Sequence, residues 1–228
     1  MEPTTQVILG WLLFGGTHTV LSHPPVRDRL VARLGDRGFL AVYSLVAFAT
    51  FVPLCWQFFA HRIATPVPLP LLATIPGIAW ATMILMFVAL CLILLGFSSP
   101  NPVSALMSPA AGGSEARGAL RITRHPAFMG VALAGLSHCL VNPAAIDRAF
   151  FGGMAIYAVA GCAHQDWRRR RAGGAELAPF FAETSFFPFV AILSGRNRFV
   201  FGELRPLVLL AAAALYAAIF FFHHRLFA

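Results

Sequence analysis

The stretch GIAWATMILMFVALCLILLGF, residues 77–97, holds twenty-one residues and not one charge. At about 1.5 Å of rise per residue such a helix spans the roughly 30 Å hydrocarbon core of a bilayer. The rest of the chain has the same character. Of its 228 residues 58% are hydrophobic and 11% charged, with a mean hydropathy of +0.75, against about 25% charged residues in soluble domains. Comparable apolar runs occur at Gln6–Ser22, Phe39–Phe59, Ala144–His164 and Leu207–Phe222, with a shorter one at Phe128–Val141. The expectation is an all-α fold, a polytopic integral membrane helical bundle of about six transmembrane helices, with no room left for a separate soluble domain.

The first run follows Met1 and Glu2 without a basic leader, so it reads as a retained helix. All seventeen basic residues are arginine. Fourteen of them (Arg27, Arg29, Arg33, Arg37, Arg117, Arg121, Arg124, Arg168, Arg169, Arg170, Arg171, Arg196, Arg198 and Arg205) fall on one side if every run crosses, leaving Arg62, Arg148 and Arg225 opposite. The excess of positive charge in cytoplasmic loops then predicts that both termini lie on the outer side of the membrane. The same asymmetry accounts for the net charge of +8 without nucleic acid, since basic loops are held at an anionic leaflet. Cys55, Cys91, Cys139 and Cys162 each stand alone in an apolar run, outside any metal or redox spacing.

Between the runs, SHPPVRDRLVARLGDRGF suits a short interfacial amphipathic helix ending at Gly38, and ATPVPLPLLATIPG suits a Pro-rich turn. PAAGGSEARG reads as a mobile loop. The segment AGGAELAPFFAETSFFPFVAILSGRNRF, polar at Glu176 and Glu183 yet rich in phenylalanine, belongs at the membrane interface.

Ionisable side chains inside a span need a partner, a cavity or a task. His18, His125, His138 and His164 are the candidates; His23, His61, His223 and His224 lie at span ends or in loops. Neutral imidazole is a good ligand for iron or copper. His125 and His138 are thirteen residues apart, about 20 Å on a helix, so they cannot share one metal. An iron ligand among them needs a partner from another helix, and His18, preceded by Gly15 and Gly16, offers one. His18 lies about 6 Å inside its span and His138 about 16 Å along its own, a depth mismatch of about 10 Å. RITRHP begins a helix at Pro126, where Arg121 and Arg124 either bind an anionic group or form an ordinary basic cap beside His125. In CAHQDWRRRR, Asp166 is placed either to orient an imidazole such as His164 or to pair with arginine.

LFGGTHTVLSHPPVRDRLVARLGDRGFLAVYSLVAF, SPNPVS, RITRHPAFMGVALAGLSHCLVNP, HQDWRRRR and TSFFPF, in that order, resemble the NnrU family of bacterial membrane proteins. The resemblance covers about residues 8–188 of a single domain, with an extra C-terminal span at 205–222. It implies a link to denitrification and nitrogen-oxide metabolism. The family is distantly similar to 15-cis-zeta-carotene isomerase, and that similarity implies haem b with two axial histidines, which fall on His18 and His138. The implied partners are the lipid bilayer and either a lipophilic polyene or nitric oxide. Two alternatives stand beside this. RHPAFMGVAL followed by AELAPFFAETSFFPF also resembles membrane methyltransferases of isoprenylcysteine and phospholipids, which would place S-adenosylmethionine near Arg124, His125 and Glu176 or Glu183. A non-catalytic haem-handling factor for a respiratory reductase is the other.

Overall fold

The computed structural model describes residues 1–62, 75–103, 115–173 and 175–227, without the side chains of 173 and 224–227. Most of the Pro-rich turn and most of PAAGGSEARG lie outside these. The described residues form helices and no strand. They are α1 (Pro3–Ser22), α2 (Pro24–His61), α3 (Ile78–Ser98), α4 (Ala119–Ile122), α5 (Pro126–Val141), α6 (Ala145–Gly173), α7 (Ala178–Glu183), α8 (Val190–Leu193) and α9 (Pro206–Phe227), with a 3-10 turn at Phe201–Glu203.

Proline opens α1, α2 and α5, where a missing N–H costs nothing. The Glu2 carboxylate caps α1 by accepting from the N–H groups of Thr4 and Thr5 at 3.0 and 2.9 Å. Within α2, Gly35 adopts φ 71° and ψ 170°, a left-handed conformation that glycine adopts without steric cost. It divides the helix into an Arg-rich arm and the apolar run, so the expected interfacial helix is the first part of α2, and the break falls three residues before Gly38.

Among the described residues four helices are long and apolar enough to cross a membrane: Pro24–His61, Ile78–Ser98, Ala145–Ala172 and Pro206–His223. The apolar Pro126–Val141 is shorter, and its 16 residues rise about 24 Å. α1, with 20 residues, completes the bundle. The helix at Ala145–Gly173 runs well beyond His164, where the apolar run ends, and carries Arg168 to Arg171 with it.

Helix α6 is the hub, packing against α1, α2 and α5, while α5 packs on α3 and α3 on α9. The core between α1, α2 and α6 is aromatic. Trp11, Phe14, Leu54, Phe58, Ile146 and Phe150 are buried there, with Phe58 and Phe150 stacked at 4.1 Å. Small residues set the spacing. A methyl group added at Gly130 would lie 2.5 Å from the Ala89 carbonyl oxygen of α3, and one at Gly153 would overlap the Trp11 ring. Most of the remaining large apolar side chains on α2, α3 and α9, such as Leu45, Phe48, Trp56, Trp80 and Leu207, are exposed, as lipid contact requires.

The segment expected at the interface is partly a second core. Phe180 and Phe181 of α7 are buried with Val103, Ala116 and Leu120, and the chain from Thr184 to Phe189 straps across the junction of α4 and α5. Gly130→Ala and Gly153→Ala should each lower unfolding stability in detergent by about 1–3 kcal/mol through overpacking. Gly161→Ala, where nothing lies within 4 Å of the added carbon, should leave the melting temperature unchanged; equal effects at all three sites would refute this packing.

Candidate functional site

The residues between α4 and α5 are drawn out. Thr123 has φ −157° and ψ 149°, and His125 φ −125° and ψ 56°. An extended segment has no helical partners for its backbone, so these come from elsewhere. The Arg124 N–H donates to the Ser185 carbonyl at 2.9 Å and the Phe189 N–H to the Ile122 carbonyl at 2.8 Å. The Thr123 hydroxyl donates to the Phe186 carbonyl at 2.6 Å, and the Asn101 side-chain amide donates to the Arg124 carbonyl at 2.8 Å.

Thus held, two consecutive side chains enter the seam between α5 and α6 and meet one carboxylate. His125 Nε2 lies 2.7 Å from Asp166 Oδ1, and Arg124 Nε lies 3.2 Å from Asp166 Oδ2. Asp166 therefore orients an imidazole and pairs with arginine, and the imidazole is that of His125. Arg124 is 6% exposed and its guanidinium lies 4.8 Å from the Phe181 ring centroid, with Arg170 over the same ring at 3.9 Å. Burial pulls the Arg124 pKa below its ordinary value, and Asp166 opposes that shift. Among the described residues neither Nε nor Nη1 of Arg124 has a hydrogen-bond acceptor.

Arg121 does not join Arg124 at one anion site. It forks onto Glu203, with Nε and Nη2 each 2.8 Å from a carboxylate oxygen, and reaches Asn197 Oδ1 with Nη1 at 2.7 Å. The Gly118 N–H donates to the same carboxylate at 2.7 Å. Together they hold Glu203 at a pKa of about 2. Arg121 faces an open cleft of about 500 Å³ shared with Glu115, Glu183, Arg196 and Arg198. Glu183 lines that cleft, whereas the His125 ring is buried against Asp166 and does not line it. Glu176 is exposed.

His18 is 6% exposed, among Phe14, Tyr43 and Tyr157 at ring distances of 4.1, 4.9 and 5.9 Å. Its Nδ1 lies 2.7 Å from the Phe14 carbonyl. A carbonyl accepts only, so the proton sits on Nδ1 and Nε2 presents a lone pair. His138 is half-buried, stacked on Phe151 at 4.1 Å, with Asn142 against its Nδ1 at 3.3 Å. The aromatic neighbours of the two imidazoles on α6, Tyr157 and Phe151, are six residues apart, about 9 Å along the axis.

His164 meets Ser22 and His23. His23 and Glu203 are the partners that the sequence reading passed over. Each lies more than eighty residues from the group it contacts, and no local pattern announces such pairings. Among the described residues no group of three or more His, Cys, Asp and Glu side chains could hold a metal ion.

Two outcomes follow from these charges. Asp166→Asn leaves Arg124 buried without its counter-charge, and should cost about 3–5 kcal/mol in unfolding; a shift no larger than that of Glu203→Gln would refute the buried pairing. Glu203 has a folded pKa depressed from 4.5 to about 2, so its contribution is complete above about pH 4.5 and lost as pH falls toward 2. An acid titration of melting temperature should therefore be flatter in Glu203→Gln across that window, and parallel curves would sink the assignment.

No curated protein and no solved structure matches the chain. A family match, to the NnrU protein, runs over residues 6–228, past Pro188 and through α9. With its apolar helices and its buried RHP segment, this multi-pass membrane protein belongs to the NnrU family.

Proposed function

We propose that the protein binds haem b in the bacterial inner membrane, with His18 as the protein's ligand to iron, and serves nitrogen-oxide metabolism by taking up a small molecule such as nitric oxide. The supporting observation is the His18 ring. Its Nδ1 lies 2.7 Å from the Phe14 carbonyl, and an imidazole held this way turns Nε2 outward as a ligand of fixed orientation. Tyr43 and Tyr157, both edge-on to the ring, hold its plane. The donor at His18 fits the group. His138 is the second candidate ligand, its aromatic support Phe151 lying about 9 Å along α6 from Tyr157.

Haem held by one protein ligand offers an open position at iron for a small molecule or for the double bond of a polyene, which keeps isomerisation as the related chemistry. The protein's part is to present one bare nitrogen in an apolar, aromatic site between α1, α2 and α6. In this reading the Arg-rich face is cytoplasmic, so both termini are periplasmic and His18 lies nearer the cytoplasmic side.

Visible spectra of the protein purified in mild detergent after expression with a haem precursor test this. The expected result is a high-spin haem spectrum that shifts with nitric oxide, disappears in His18→Ala and persists in His138→Ala. A colourless but folded wild type, or a spectrum that survives His18→Ala, overturns the proposal. A low-spin spectrum lost equally in both variants replaces the single ligand with the axial pair.

A further inference from the structure

We propose that His23 and His164 form a second site, independent of His18 ligation, that binds a divalent late transition metal of the copper or zinc class and fastens the α1–α2 elbow to α6. His23 Nδ1 and His164 Nε2 are 3.5 Å apart. Two nitrogens on one tetrahedral ion, at metal–nitrogen distances of about 2.0–2.1 Å, lie about 3.3 Å apart, so the pair stands at nearly ligating separation.

Proton positions support the same reading. The Ser22 hydroxyl donates its one proton to the His18 carbonyl at 2.6 Å. Toward His164 Nδ1, at 3.4 Å, Ser22 is therefore the acceptor, and the His164 proton sits on Nδ1. The lone pair of His164 is then on Nε2, directed at His23. Ligating histidines are fixed in this way, by an acceptor on the far nitrogen. The His23 ring is held flat on Trp167, at 5.1 Å and 8°.

Nitrogen-only donors suit copper(II), zinc and nickel rather than magnesium or calcium. No third His, Cys, Asp or Glu joins the pair among the described residues. His23 is exposed, so water completes the coordination. The neighbouring charges are mixed. Arg27 is turned toward Asp28 and Asp36 at 3.7 and 3.8 Å, and Arg171 lies over Trp167 at 5.3 Å. Arg168, one turn beyond His164, opposes a cation, so its removal should tighten binding.

The test is copper(II) titration of the full-length protein carrying no histidine tag, followed by electron paramagnetic resonance. One equivalent bound through two nitrogens is expected. His23→Ala and His164→Ala should each weaken binding at least tenfold, Ser22→Ala should weaken it by about 10–100-fold, Arg168→Gln should tighten it, and His61→Ala should change nothing. His164→Gln serves if the alanine variant fails to fold. Stoichiometric binding unaffected by His164 substitution, or no stoichiometric binding by folded wild type, overturns the proposal. Repeating the titration with and without haem separates the two sites, since loss of the His18 reading leaves the copper signal in place.

Discussion

A carboxylate at the end of a membrane helix is either matched by charge and hydrogen bonds or driven to neutralise. Asp166 is matched by two adjacent residues of another helix's approach, Arg124 and His125. Neighbouring side chains converge on one carboxylate here because the backbone from Thr123 to His125 is non-helical, and a buried non-helical backbone has to find its hydrogen bonds in other segments. Those segments are the loop at Asn101 and the strap from Thr184 to Phe189. One buried charge thus accounts for the irregular structure from Thr123 to His125. The phenylalanines of α7 close it over by offering Arg124 and Arg170 a ring face.

The bundle itself needs little polar chemistry. Lipid supplies no hydrophobic drive between helices, so α3, α5 and α6 associate through close backbone approach at Gly96, Gly130 and Gly135, where an added methyl group would meet a neighbour's backbone. α1 and α2 instead join α6 through rings, with Trp11 seated over Gly153.

The sequence was most informative where the physics is local. Runs free of charge located α3 and α9 to within a few residues, and Pro126 located the start of α5, because hydropathy and a missing N–H act on their own stretch of chain. It was least informative where a polar group's partner is distant. Asp166 had two plausible roles that RHP and HQD could not separate, and it performs both, with His125 rather than His164 as the imidazole. Arg121 and Arg124, three residues apart, looked like one anion site, but the short α4 ends between them and sends one to Glu203 and the other to Asp166. The aromatic segment after α6 read as interfacial on composition, yet Phe180 is fully buried, since composition does not say whether lipid or protein covers a ring.

Depth along α6 connects the histidines. α1 runs parallel to α6, so that Trp11 lies by Phe150, His18 by Tyr157, and Ser22 and His23 by His164. α5 runs antiparallel, with His125 at Asp166 and His138 at Phe151. The register that brings His23 to His164 therefore also sets His138 apart from His18. Closing that gap would require α5 to slide along α6. Such a slide would pull His125 from Asp166, strand Arg124, and drive the chain past the contacts of Gly130 with Ala89 and of Gly135 with Phe151. α5 is pinned at its start by charge and along its length by steric fit, and both constraints place His138 nearer the opposite membrane face from His18.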